Sequence, residues 1–148
     1  NGPNFAEGCK ASASSAMEGS PASNANDLNY NTYWSAASGK GANEWLEINL
    51  GTNRTFNKTV IRQSNSDRIT GYKIQYHNGT EWLDAYTGEP MGTKVKIDTF
   101  PPVTASKVRL LVTAVQPAAA AGGGTDTCPQ INEFDIYLNP QKLSNEGK

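Results

Sequence analysis

Residues 22–51 read ASNANDLNYNTYWSAASGKGANEWLEINLG, a polar loop that runs into a strand. Asp27, Asn29 and Thr32 crowd oxygen atoms into six residues just before Trp34, and oxygen-rich turns of that kind suit a hard cation such as calcium. In Trp45-Leu46-Glu47-Ile48-Asn49-Leu50 apolar and polar residues then alternate, the period of a half-buried strand. Residues 59–62, 72–76 and 94–97 repeat that alternation, and residues 107–112 and 133–137 are further β-rich runs. Gly, Pro, Asn and Asp clusters separate these runs, and no helical period lasts three turns. The expectation is an all-β fold, an antiparallel β-sandwich.

Working outward, His77-Asn78-Gly79-Thr80 marks a hairpin, because Asn-Gly accepts the positive φ angles of a type I′ turn. A two-residue loop pairs Ile74 with Leu83 and Tyr72 with Ala85 and leaves Trp82 on the other face. A bulged turn reverses the faces, and both registers stay open. Residues 118–124 are alanine and glycine between Pro117 and Pro129, a flexible loop by composition at one end of the sandwich. Residues 1–139 are expected to form one module, followed by a polar tail or linker at 140–148.

A chain of 148 residues has enough length for a single core. Charged residues make up 18%, with 13 Lys and Arg against 14 Asp and Glu, so no basic field favours nucleic acid. No apolar run approaches the roughly 20 residues that span a bilayer. Asn1 opens neither with a start Met nor with the regions of a signal peptide, which reads as a mature, excised, soluble module. Cys9 and Cys128 stand near opposite ends of a sheet-forming chain, and a sheet that brings the termini together predicts a disulfide between them. Such a bridge closes a long loop, worth on the order of 4 kcal/mol in the entropic model, and implies export to the extracellular space. Sequons at Asn53, Asn57 and Asn78 carry glycans only in a eukaryotic secretory route.

An ordered set of motifs resembles a known family. Residues 11–15, Ala25-Asn26-Asp27 through Thr32-Tyr33-Trp34, residues 45–51, Asp67-Arg68-Ile69 leading into Tyr72-Lys73-Ile74, residues 107–110 and residues 131–137 resemble the discoidin family. That family is the coagulation factor V/VIII type C domain, and it includes galactose-binding-like carbohydrate-binding modules of secreted glycoside hydrolases. The resemblance implies an antiparallel jelly-roll with its ligand loops at one end. It also implies one structural calcium, held by the Asp27 carboxylate, the Asn24 and Asn29 carbonyls, Thr32 and Glu133. Leu28 stands where the family often has Gly.

Sugar recognition needs planar polar groups and an aromatic face on loops held by a rigid scaffold. By the same resemblance Arg62 and Asn65 match sugar-contacting positions, and Glu18 lies in the first apical loop. Tyr30 or Tyr33 supplies a stacking face, while Lys40 and Asp126 add polar contacts from neighbouring loops. Ser35 stands where galactose-binding relatives often carry a histidine, and the last apical loop lacks their aromatic residue. Trp34 and Trp45 are assigned to the core.

No nucleophile, base and orienting partner assemble around His77, the only histidine, so catalysis is not expected. Residues 35–43 and 118–127 offer no large apolar side chain and one lysine, Lys40, which argues against membrane insertion. The functional expectation is a non-catalytic module that binds galactose or a galacto-configured or fucosylated terminus and directs an appended glycoside hydrolase to its glycan. Protein adhesion is the alternative.

Overall fold

The computed structural model describes residues 2–140. Of the expected tail, everything beyond Pro140 lies outside the described residues. The chain forms β1 (Lys10–Ala13), a 3-10 helix (Ala22–Asn26), β2 (Trp34–Ser35), β3 (Trp45–Gln63), β4 (Ile69–His77), β5 (Trp82–Gly88), β6 (Val95–Val115), β7 (Ala118–Ala119), β8 (Thr125–Asp126) and β9 (Gln130–Tyr137). All pairings between these strands are antiparallel.

Alternation explains the two longest strands. Leu46, Ile48 and Leu50 point inward on β3, as do Val108, Leu110 and Val112 on β6. The two strands pair from Trp45 opposite Leu111 to Arg62 opposite Val95, with register shifts at Asn49/Arg54 and Phe56/Lys58. Such shifts sharpen local twist and bend a strand, so the two halves of the pair serve different layers. The half near Trp45 joins β1, β4 and, through β4, β5. The half near Arg62 joins β9, which carries β2 on its other edge. Trp34, Phe56, Tyr72, Phe134 and Ile136 fill the space between, each apolar side chain contributing about 1.5–3 kcal/mol by burial.

The antiparallel all-β sandwich expected from the alternation is present, but several details differ. Runs 45–50 and 59–62 are one strand, and 107–112 continues the strand that begins at Val95 within the run 94–97. Residues 51–55 leave the core and are exposed, so their composition reads as a break although the backbone stays extended. The β4–β5 hairpin adopts neither expected register: His77 pairs with Trp82 and Tyr76 with Leu83, with a bulge after Ile74. The Asn78 side chain closes the longer loop by accepting from the Thr80 and Glu81 amides at 2.8 and 2.9 Å. The alanine and glycine tract is a small hairpin, β7 against β8. Trp34 is fully buried, whereas Trp45 is only half-buried and lies on the outer sheet face beside Arg109, 5.7 Å from its ring centroid.

The expected disulfide is absent: Cys9 and Cys128 are free thiols. Cys9 precedes β1 and donates to the Phe5 carbonyl at 3.1 Å, and the Phe5 amide bonds to Ile136 near the end of β9. Cys128 precedes the start of β9 and donates to the Ala37 carbonyl at 3.2 Å. The length of β9 therefore separates them, roughly 25 Å for eight residues, far beyond the reach of a disulfide. Burial first, then the Asp126 carboxylate, pushes the Cys128 thiol up, which disfavours the reactive thiolate. Thiol titration of the denatured protein should count both cysteines, and a reductant should leave the thermal midpoint unchanged. A midpoint that falls in reductant would restore the bridge.

Candidate functional site

Loops from five segments meet at the end of the sandwich where β9 begins. Arg68, next to the start of β4, is nearly buried and clamps three of them. Its Nη1 donates to the Cys128 carbonyl at 2.6 Å, its Nε to the Gln116 carbonyl at 3.0 Å, and it pairs with Asp126 at 3.3 Å. The Cys128 amide, followed by the Arg68 charge, holds the Asp126 carboxyl below its usual range against the effect of burial. Asn65 Nδ2 also donates to the Cys128 carbonyl at 3.0 Å, while its Oδ1 is buried without a partner. The Thr127 hydroxyl donates to the Lys40 carbonyl at 2.9 Å. A Cβ on Gly41 would stand 2.6 Å from the Thr127 carbonyl, so glycine permits that close approach.

Two clefts open beside this clamp. One, about 320 Å³, is lined by residues 64–68 and 116–118. The other, about 350 Å³, lies between Met17, Ser38, Gly39, the β7–β8 hairpin and Gln130. Asp126 lines the second cleft and reaches Arg68, which lines the first. Glu18 follows Met17 in the chain and is exposed without lining the cleft. The Met17 amide bonds to the Ser35 carbonyl at 2.8 Å, which ties that loop to β2.

The oxygen-rich loop lies beside β9. The Thr32 hydroxyl bonds to Asp27 Oδ2, and the Asn29 amide to Asp27 Oδ1 at 3.0 Å. Asn24 Nδ2 donates to the Tyr33 carbonyl at 3.2 Å. Leu28 adopts a left-handed φ of 61°, a conformation costing a non-glycine residue roughly 1–2 kcal/mol. Glu133 is fully buried and neither carboxyl oxygen meets a donor. Burial first, then the neighbouring Asp27 carboxyl, pushes Glu133 up to about 8. Burial also works against Asp27, yet the Thr32 hydroxyl, the Asn29 amide and Glu133 hold it below its ordinary value. Two carboxyls can share a hydrogen bond only while one is protonated, so at higher pH the pair carries uncompensated negative charge. The donor set fits calcium, which favours several hard oxygens.

Asn132 precedes Glu133 and staples the same loop. Its Nδ2 donates to the Tyr30 and Thr32 carbonyls at 3.0 and 3.1 Å, and its Oδ1 accepts from the Ser64 hydroxyl at 2.8 Å. Tyr30 then lies over Arg62, whose guanidinium carbon is 4.4 Å from the ring centroid. Of the sugar-contacting candidates, the structure brings Asn65, Asp126 and the Lys40 backbone to the Arg68 clamp, whereas Glu18 lines neither cleft. Arg62 lines a separate cleft with Tyr30, Lys94 and Asn132. Tyr33 is half-buried in the turn between the oxygen-rich loop and β2. Sequence reasoning had placed Arg68 in a motif without giving it a role, and no signal marked Asn132 or Gln116, because their partners are carbonyls far away in the chain.

The family model described as F5/8 type C domain matches residues 10–127. No curated protein sequence matches the chain. Among solved structures, chitosan-binding module 1 from a chitosanase/glucanase of Paenibacillus sp. IK-5 is 29% identical, with a TM-score of 0.77, covering 92% of this chain and 99% of that one. Module 2 of the same enzyme, solved with chitotriose, is 26% identical, with a TM-score of 0.76 and coverage of 90% and 99%. The family 32 carbohydrate-binding module of C. perfringens NanJ, in complex with galactose, is 27% identical, with a TM-score of 0.71 and coverage of 86% and 91%.

The Glu133 shift sets a pH dependence. A carboxyl raised from 4.5 to about 8 in the fold contributes stability that is full below its unfolded pKa and lost as pH rises through about 8. The depressed Asp27 acts at lower pH, below its ordinary 3.8, outside that window. In chelator the denaturation midpoint should therefore fall between about pH 4.5 and 8, and calcium should restore it. Glu133→Gln should remove both the fall and the calcium response, whereas a midpoint indifferent to calcium at every pH would exclude a cation here.

Proposed function

The chain belongs to the F5/8 type C domain family, and we propose that it serves there as a non-catalytic carbohydrate-binding module with its ligand at the apical loops. The observation that carries this reading is the pair of clefts joined by the Asp126–Arg68 bridge, with the Asn65 side-chain Oδ1 buried and unpartnered at one of them. A rigid scaffold that presents such groups on loops is what weak, orientation-specific sugar binding requires. Glu18, Asn65 and Asp126 contact the sugar, Lys40 and Tyr33 border it, and Arg62 with Tyr30 forms the adjoining subsite. Calcium is held by Asp27, Glu133, Thr32 and the carbonyls of Asn24 and Asn29. When bound it neutralises the carboxylate pair and fixes the loop against β9. The module is exported and directs an appended glycoside hydrolase to its glycan by raising local concentration.

Between sugars, the exposed Glu18 carboxylate favours a protonated amino sugar of the glucosamine type. Glu18 is exposed, Asp126 stands beside the second cleft, and the two Paenibacillus modules are named for chitosan binding. A galacto-configured or fucosylated terminus is the second reading, supported by the NanJ module solved with galactose. Against it, Ser35 is fully buried and its hydroxyl is committed to the Ala36 carbonyl at 2.9 Å.

Calorimetry with glucosamine oligomers and with galactose should give micromolar to millimolar affinity, as small interfaces do. Glu18→Gln should weaken amino-sugar binding about tenfold, the scale of one hydrogen bond to a charged group. Galactose binding unaffected by Glu18→Gln would promote the second reading. A folded, calcium-loaded module that binds no glycan would move protein adhesion to first place.

A further inference from the structure

The opposite end of the sandwich, far from the apical loops, holds another cleft of about 410 Å³. Its walls are the β4–β5 loop at His77, Asn78 and Gly79, the β3 segment at Asn53 and the β6 segment 104–107. Most of its polar groups keep hydrogen-bonding capacity. Asn78 uses only its Oδ1, for the Thr80 and Glu81 amides, which leaves the amide hydrogens unengaged. His77 Nδ1 accepts from the Gly79 amide at 3.0 Å, so a neutral ring carries its hydrogen on Nε2, and Trp82 packs edge-on against that ring at 5.1 Å. The side chains of Asn53, Ser106 and Lys107 have no partner among the described residues. One ammonium lines the cleft and no carboxylate does.

Planar amides and a hydroxyl arranged around one cation match a polyol that carries a single negative charge. We propose that this basal cleft is a second carbohydrate site, specific for a carboxylated sugar of the hexuronate type. Lys107 pairs with the carboxylate, while Asn53, Asn78 and Ser106 bind ring hydroxyls and His77 donates from Nε2. The charge opposes that of the exposed Glu18 carboxylate at the apical end. A module with sites at both ends can hold two chains or two segments of one mixed polymer, and the gain is one of effective concentration rather than of any single contact.

The test is an amide-resolved NMR titration of the calcium-loaded protein with methyl β-glucuronide and with methyl β-glucoside, which share their hydroxyls and differ in the carboxylate. Shifts at 77–79 and 104–107 with the glucuronide, at least about tenfold tighter than with the glucoside, are expected, since a charged hydrogen bond has that scale. Lys107→Ala should abolish that preference, and Glu18→Gln should leave the basal response intact. If the alanine variant loses spectral dispersion, Lys107→Gln keeps most of the aliphatic stem and removes the charge. Equal responses to the two glycosides, shifts confined to the apical loops, or no effect of either Lys107 variant would overturn the site. Because the readout is local to each end, failure here leaves the apical reading standing, and the reverse also holds.

Discussion

The pairing of β3 with β6 is the constraint on which the other parts depend. Both strands are at least twice the length of any other strand, and their shared bend lets one ladder serve two layers. Pairing partners for β1, β4 and β9 come from one or the other half of this ladder. The loops that leave those strands are thereby gathered at two ends, and clefts lined by polar side chains lie at both. Loosening the ladder would scatter both sets of loops at once, since neither set has an interior of its own.

On β9 two consecutive buried residues do different electrical work. Asn132 satisfies carbonyls of the oxygen-rich loop and accepts from Ser64 next to the apical cleft. Glu133 brings a carboxyl with no donor to the same loop. A buried amide with its partners in place stabilises the loop, whereas a buried carboxylate without one opposes it. The loop's seating is thus contingent on how Glu133 is neutralised, by a proton or by a cation. Through Ser64 that contingency reaches Asn65, so loop seating and apical geometry are mechanically linked.

What was legible in the sequence follows from the range of each interaction. Alternation reports a strand's exposure within its own length, and it revealed the sandwich correctly wherever one face was buried. It failed at residues 51–55, where the ladder continues in solvent and nothing in the composition marks it. The Asn-Gly pair marked a turn, but the loop length was set by side-chain acceptance at Asn78 and by the bulge after Ile74, which depends on pairing across the hairpin. In the oxygen-rich loop, Asp27 bonds to the Thr32 hydroxyl five residues on, and Glu133 reaches the same carboxylate from β9. The Arg68 clamp stayed hidden because an arginine whose partners are backbone carbonyls leaves no complementary residue type to find. The cysteines misled for a related reason: proximity of chain ends says nothing about which end of a strand each thiol occupies.

Trp45 shows why the broad sheet face offers a ligand little. Arg109 lies between Trp45 and Trp82, 5.7 and 4.2 Å from their centroids, and donates to Gln75 at 2.9 Å. Gln75 in turn donates to Asp84, which pairs with Lys73. Burial lowers the pKa of the Arg109 guanidinium while Glu47 supports its charge, and contacts of cations with indole faces are worth about 0.5–1 kcal/mol or more when shielded. This network occupies the ring faces and polar atoms that a sugar platform would need. A sheet face that satisfies its own groups has little left to offer a ligand. At the two ends, by contrast, Asn65, Asn53, Ser106 and Lys107 keep unmet capacity within a scaffold that cannot collapse onto them.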